Sequence, residues 1–506
     1  MALHDDPQVI WAAPGEGVSG NGSHDEPYTS VRRASERLTP GATLALKGGV
    51  YRGPVSLEIA GAADRPIRVM AAPGEAVIIQ ESSWYLYDSS DVILSGLRFV
   101  NAPETALSII GACQRNCFDS LQFKNCGSGS AGGSAIFFGG AGARCNVVQN
   151  CEFTLPAHRP GDAGERVGVM VSEGDESDFL TLNRNLVFRK SRFVNYDFGV
   201  IIGSRGSHAG RFGHVIEHNV FDNCRFSAIR VNCGDITIRN NYMRRCAGAA
   251  IAMSMGSDIS VLDNRIEECG IGIEIMDRGH TVQQNCLVRC ATAGIDVRES
   301  DSEPHRSASN VFIEQNTFYD CGFQSADARR GCAMRFDAET SSIVRRNIMH
   351  GEAYPYRVFQ TGDTEGASGP IRPGRASHFI FDENIVSGGA AAQPGCVERE
   401  MVFAHPDAGD FSAETACGAQ GWAAESCPSD RALSSAPDAF AGIGDESIAE
   451  ESEADELIRQ IDRDELMARS MLAAQADREE AGIVEQEPGE IDEEDDPERY
   501  FDRDDI

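Results

Sequence analysis

Lysine is almost missing from this chain: of 45 basic residues only Lys47, Lys124 and Lys190 are Lys. Against those 45 stand 78 acidic residues, giving a formal net charge of −33. That balance argues against nucleic acid as a partner, because polyphosphate needs a basic face. No apolar run reaches 18 residues, so no membrane insertion by a helix is expected. The opening Met-Ala-Leu-His-Asp-Asp has neither a basic n-region nor an apolar h-region. The expectation is no Sec signal peptide, with a cytoplasmic location or export by a non-Sec route. The glycines at 15, 17, 20 and 22 are not followed by Gly-Lys-Ser/Thr, so a capping turn is expected there rather than a phosphate loop. Cys113-x3-Cys117 and Cys286-x3-Cys290 do not form a zinc framework.

What the chain has in abundance is one short pattern: Asn, any residue, a large apolar residue, two more residues, Cys. It recurs as Asn219/Phe221/Cys224, Asn241/Met243/Cys246, Asn264/Ile266/Cys269, Asn285/Leu287/Cys290 and Asn316/Phe318/Cys321, in steps of 22, 23, 21 and 31 residues. After the first four Cys residues comes a short turn, led by Ala or Gly after Cys246, Cys269 and Cys290, and then alternation, as in Ala228-Ile229-Arg230-Val231-Asn232 and Gly272-Ile273-Glu274-Ile275-Met276. A repeat of this length without helical spacing means a solenoid of short strands. A buried Asn at a fixed slot needs its amide satisfied, and stacking on the Asn of the next coil does that. The ladder Cys residues, joined by Cys126, act as small apolar fillers and are expected as free thiols. The fold class expected is an all-β, single right-handed parallel β-helix.

Along the chain, residues 1–43 form an N-terminal segment in which Tyr28, Val31, Ala34 and Leu38 lie at helical spacing, predicting a capping helix over 28–38. Residues 44–393 carry the coils, and 394–444 read as irregular. From 445 to 506 there are 25 acidic residues and 6 Arg, a net −19. A helix is expected over 455–478 and a disordered acidic tail after it.

Three stretches carry a resemblance: Pro40-Gly-Ala-Thr-Leu-Ala-Leu-Lys-Gly-Gly-Val-Tyr-Arg-Gly53, residues 61–74 with Arg65-Pro-Ile-Arg-Val inside them, and Leu94-Ser-Gly-Leu-Arg-Phe-Val-Asn101. They resemble the N-terminal coils of pectate-lyase-like β-helix proteins, nearest the chondroitinase B/alginate lyase family. The likeness covers residues 8–101. It implies the β-helix fold and points toward lyases of acidic polysaccharides. Such lyases carry a Lys near Ser-x-Lys-Ser and an Arg near Leu-x-x-Arg-His-Gly. Here Glu173 stands where the Lys is wanted, and Arg205 and His208 stand out of register. On that resemblance Arg205 is a candidate charge neutraliser and His208 a candidate base. The Asn-Thr-Asp, Asp-Asp and Gly-His-Gly set of polygalacturonases is absent from the coils.

Strand alternation makes Ile229 and Val231 internal and sends Arg230 outward. Carried from coil to coil, one outward column reads Phe137, Met170, Ile201, Arg230, Ala252, Glu274, Asp296, Arg335. Its neighbour ends in Asn232, Ser254, Met276, Arg298, Asp337. The early coils of this face are apolar or small; the late ones hold three Arg and three carboxylates. Coils stack ~4.8 Å apart, so Glu274 and Asp296 repel by roughly 3 kcal/mol at an effective dielectric of about 20. Three things can relieve that: a shared proton, which suits glycoside hydrolysis; a bound Ca²⁺, which suits β-elimination on a uronic-acid polysaccharide; or pairing with Arg298 and Arg335, a solvated ladder without catalysis. The favoured expectation is a polysaccharide lyase: Glu274 and Asp296 as catalytic, cation-holding residues, and Arg230, Asn232, Arg298, Arg335 and Asp337 as substrate contacts. The alternatives are a non-catalytic glycan-binding or structural β-helix, and a hydrolase using Glu274/Asp296. Loops at 154–166, 204–213, 301–309 and 322–331 are expected to flank this face, and 362–377 is a further polar loop.

Overall fold

The computed structural model describes residues 8–415 except 16–18, 103, 128–132, 141, 159–164, 173–182, 204–210, 300–306, 324–331, 338–339, 352–354, 360–378, 389–392, 394 and 406–409. Each coil supplies one strand to each of three parallel sheets of 14, 12 and 14 strands, and neighbours within a sheet come from successive coils. One coil runs Gly234–Arg239, Tyr242–Arg244, Ala249–Met253; the next runs Ser260–Leu262, Arg265–Glu267, Ile271–Ile275. Single left-handed residues turn the chain between the first two strands, such as Asn240 (φ 54°) and Asp263 (φ 53°). Arg245 (φ 56°) and Glu268 (φ 53°) do the same after the second strand, at roughly 1 kcal/mol each for a residue with a Cβ.

The expected Asn ladder is continuous and longer than the five copies. The main-chain N–H of Asn219 donates to the Oδ1 of Asn241 (3.0 Å), and the same bond runs on to Asn264 (3.0 Å), Asn285 (2.9 Å), Asn316 (2.9 Å), Asn347 (2.9 Å) and Asn384 (3.1 Å). Each amide Nδ2 also reaches a carbonyl of an earlier coil, as Asn264 does to Ile238 (2.8 Å). No polar atom of these buried side chains is left idle.

The large apolar slot becomes a stack of rings in the early coils. Phe99, Phe123, Phe153, Phe193 and Phe221 lie face to face with centroids 5.0, 4.8, 4.4 and 4.8 Å apart. Met243, Ile266, Leu287 and Phe318 continue that register. The rings explain the small residues facing them: a Cβ on Gly199 would sit 2.5 Å from Phe221 Cδ1 and 2.6 Å from Ala228 O. One apolar core runs from Ala12 to Val386. Twelve of the fourteen described cysteines are buried and Cys117 and Cys396 half-buried; burial pushes the Cys126 thiol up to about 12.

Two elements differ from the sequence expectation. The N-terminal helix spans only Val31–Ser35, capped by Ser30 Oγ accepting from Arg33 N, with Val31 and Ala34 buried. It stops early because Arg37 and Leu38 donate three residues back, to Ala34 and Ser35, tightening the last turn. Residues 401–415, expected as irregular, contain an antiparallel hairpin, Met401–His405 with Asp410–Thr415. Met401 and Phe403 pack on Cys286, Val288, Ile348 and Ile385, outward residues of the 14-stranded sheet that ends at Cys396–Glu398. All described residues lie within 1–442. The acidic stretch 445–506 and its expected helix lie outside them. No helix among the described residues is long and apolar enough to cross a membrane.

Candidate functional site

The 12-stranded sheet sets the outward column in the register that alternation requires. Phe137 pairs with Met170, Met170 with Ile201, Ile201 with Arg230, Arg230 with Ala252, Ala252 with Glu274, Glu274 with Asp296 and Asp296 with Arg335. Toward the N-terminal end this face is aromatic and apolar. Tyr85 and Tyr87 stack at 5.9 Å, and Val167, Phe198 and Ile201 form a small outer cluster with Met170.

Toward the C-terminal end it is charged. Glu274 and Asp296 share the face on adjacent rungs, as expected, and arginines lie against both. Asp296 is wholly buried beneath two guanidinium groups. Its Oδ2 accepts from Arg298 Nε at 2.9 Å, and its Oδ1 lies 3.1 Å from Arg335 Nε. Arg298 Nη1 reaches Glu274 Oε1 at 2.9 Å, so one guanidinium bridges both carboxylates. Burial would lower the Arg298 pKa, but the charges of Asp296 and Glu274 outweigh it and hold it above the ordinary value. The Arg298 and Arg335 side chains remain 34% and 30% exposed. Asp337 closes the cluster: its Oδ2 accepts from Glu299 N at 2.9 Å. Burial holds its carboxyl above the usual range, only partly offset by that bond and by Arg335.

Glu274 and Asp296 were expected as cation ligands; in this structure two guanidinium groups lie against them. Ca²⁺ takes six to eight oxygens at 2.3–2.6 Å. Here both oxygens of Asp296, one of Glu274 and one of Asp337 are already engaged. Among the described residues no group of three His, Cys, Asp or Glu is placed to hold a metal. The geometry fits a guanidinium-neutralised pair.

The remaining expected contacts divide. Arg230 lies two rungs from Glu274 with its guanidinium 5.5 Å from the Phe198 ring centre, on the face and partly exposed. Asn232 is buried and donates Nδ2 to Gly203 O at 2.9 Å, which makes it a strand-end support. Arg205, His208 and Glu173 lie outside the described residues, as do most of the expected loops.

A second polar cluster, at the entry to an interior strand of this sheet, has no local motif. Asp197, just before strand Phe198–Ile202, is wholly buried and accepts from Arg166 N at 3.0 Å. His158 Nδ1 is 3.3 Å from its Oδ1, and His158 Nε2 lies 2.9 Å from Arg166 Nη2. The two imidazole nitrogens thus meet a carboxylate and a guanidinium, tying the described ends of the 154–166 loop to the sheet. Beside it Phe226, 40% exposed, packs on Phe198 at 5.3 Å with Arg225 over its ring at 5.0 Å. Only its position in an expected loop hinted at His158.

Comparison with known proteins supports the architecture. A family model described as the right-handed β-helix region matches residues 179–305. Among solved structures, the PL6 family alginate lyase AlyGC aligns over 83% of this chain and 58% of its own, at 17% identity and a TM-score of 0.62. A point mutant of AlyGC aligns over 78% and 56%, at 18% identity and 0.61. A mannuronic-acid-specific polysaccharide family 6 lyase from human gut microbiota aligns over 74% and 89%, at 16% identity and 0.57. This chain therefore spans little more than half the length of AlyGC. No curated protein matches the sequence. At these identities the likeness establishes the fold: a right-handed parallel β-helix.

Proposed function

We propose that the protein is a carbohydrate-active β-helix, a polysaccharide lyase that cleaves a uronic-acid polysaccharide by β-elimination. The observation that carries the reading is the pair Arg298 and Arg335. Arg298 donates through Nε to the buried Asp296 and Arg335 is ion-paired with its other oxygen at 3.1 Å, and both side chains stay partly exposed on the outer face of the 12-stranded sheet. That the β-helices it resembles include alginate lyases supports the substrate class.

The chemistry asked of the face is limited. A uronate carboxylate must lose its charge so that the proton on the adjacent ring carbon becomes acidic enough to remove. A guanidinium held in advance does this without rearrangement at the moment of reaction. A base takes the C5 proton, the C4–O bond breaks, a C4–C5 double bond forms, and the departing oxygen takes a proton. In this reading Arg298 and Arg335 bind the carboxylate, and Arg230 with Phe198 contacts a sugar further along the axis. The base comes from Arg205 or His208. The hydrolase alternative drawn on Glu274 and Asp296 fits less well, because both members of such a pair must be free to hold a proton or attack, and both oxygens of Asp296 face guanidinium groups.

The test is incubation with alginate, pectate and chondroitin while following the ultraviolet absorbance of the unsaturated product. Absorbance that rises with native protein and falls at least tenfold with Arg335→Met supports the lyase. New reducing ends without absorbance would replace it with the hydrolase. No product from any of these, with retained glycan affinity, would leave a binding protein.

A further inference from the structure

We infer that Arg298 takes the place of a divalent cation on this face, bridging Glu274 and Asp296 so that the site works without metal. The inference deepens the lyase reading and rests on it for what the face binds, while its charge argument stands alone.

Two acids on adjacent rungs of a parallel β-helix face outward at a spacing the fold fixes, so they cannot move apart to ease their repulsion. A positive charge must lie between them. The chain supplies it from the same strand: Arg298 follows Asp296 by two residues, and its backbone is pinned by Arg298 N donating to Ile275 O at 2.8 Å and Arg298 O accepting from Ala308 N at 3.1 Å. From there Nε meets Asp296 and Nη1 meets Glu274, both at 2.9 Å. Arg335 reaches the other Asp296 oxygen from the next rung. A cation entering between the acids would have to expel the bridging guanidinium. It would also carry two charges into a space already balanced by two arginines. What the arginines supply instead is directional: a planar fork that pairs with a second carboxylate.

Calcium binding to four proteins tests this: native, Glu274→Gln, Arg298→Met and the double variant Arg298→Met/Glu274→Gln. Calorimetric titration with calcium chloride in 0.15 M sodium chloride is the readout, and no polysaccharide is present. The acidic surface gives every variant a common weak background, so only differences count. Native and Glu274→Gln should titrate alike. Arg298→Met should gain about one further site per chain, with a calcium-dependent rise in melting temperature, and the double variant should lose it. A site in the native protein that Glu274→Gln removes would overturn the inference, and so would an Arg298→Met protein that gains none. Should Arg298→Met not fold, the native-against-Glu274→Gln comparison still decides. Where a uronide yields product, its rate should be unchanged by a chelator; loss of product in chelator would also refute metal independence. If no uronide is cleaved the lyase reading fails, while the calcium titrations still show whether Arg298 fills the place of a cation.

Discussion

Replacing Asp296 by Asn tests the site at its centre. The amide has the carboxylate's shape but only one acceptor oxygen. Its NH₂ must therefore face either Arg298 Nε, now bonded at 2.9 Å, or Arg335 Nε, now at 3.1 Å, and two N–H donors then oppose each other. Turning the amide over restores the Arg298 bond but sets the NH₂ against the positive guanidinium of Arg335, where the carboxylate now makes an ion pair at 3.1 Å. A hydrogen bond to a charged group is worth about 1.5–3 kcal/mol, and breaking a fully buried ion pair costs about 3–5 kcal/mol. Here only the acid is buried. Both guanidinium groups are about one-third exposed, so water recovers part of the loss, and Arg298 keeps Glu274. The expected destabilisation is therefore about 1–3 kcal/mol. In a solenoid each coil touches only its neighbours, so the loss is local. Hydrogen exchange should quicken in Ala293–Val297 and Cys332–Asp337, with a smaller shift in the urea midpoint. Exchange unchanged in those strands and an unfolding free energy within about 0.5 kcal/mol of native would show that Asp296 does not hold the arginines.

Asn264→Ala removes the acceptor of Asn241 N and Nδ2 and the donor to Ile238 O and Asn285 Oδ1, all buried; denaturant unfolding should show a loss of about 3 kcal/mol or more. Gly199→Ala drives a methyl group against Phe221 and Ala228 O and should cost about 1–3 kcal/mol; adding Phe221→Leu should recover only part, because the carbonyl contact remains. Asp337→Asn should gain stability at neutral pH. The folded carboxyl sits above its unfolded value, so ionised Asp337 opposes folding above the folded pKa and the penalty vanishes below the unfolded one, about 3.9. The variant's advantage in melting temperature should shrink as pH falls through that window, and an advantage that grew in acid would contradict the assignment.

The repeat made the scaffold readable because a β-helix turns sequence distance into a fixed vertical step. Once Ile229 and Val231 were placed inside, the alternation carried Arg230, Glu274, Asp296 and Arg335 onto one column, and the strand pairings agree at every step. The Asn slot was legible for the same reason over its five clean copies, and the structure carries it on through Asn347 and Asn384. What alternation leaves open is where a long side chain ends. Asp296 reads as an exposed surface acid until Arg298, from the adjacent column, and Arg335, from the next rung, fold over it. The Asp197–His158 contact was invisible for another reason. It joins residues 39 positions apart, through a loop whose length breaks the repeat. In the 401–415 hairpin nothing repeats at all; Met401 and Phe403 find their place only because Cys286, Val288, Ile348 and Ile385 already form an apolar patch.

Charge ladders are common on this molecule, so the cluster must be told apart from them. On the 14-stranded sheets Glu217 pairs with Arg239 at 2.7 Å and Glu314 with Arg345 at 2.5 Å, one acid to one arginine, with the arginines 49% and 45% exposed. Pairs of that kind contribute little and need no function. Asp222 comes nearer, with Arg244 and Arg245 on its two oxygens, but those arginines are sequence neighbours and the unit is a single carboxylate. At Asp296 the carboxylate is sealed, one guanidinium is shared with a second acid, the other comes from the next rung, and a third acid, Asp337, whose carboxyl burial holds above its usual range, stands beside them. Five charged groups on three rungs orient one another, so neither arginine has to be ordered when an anion arrives. In the function proposed above, that advance ordering is what would let the cluster bind an anion. It also explains why one substitution at the buried acid should weaken anion binding through arginines it leaves in place.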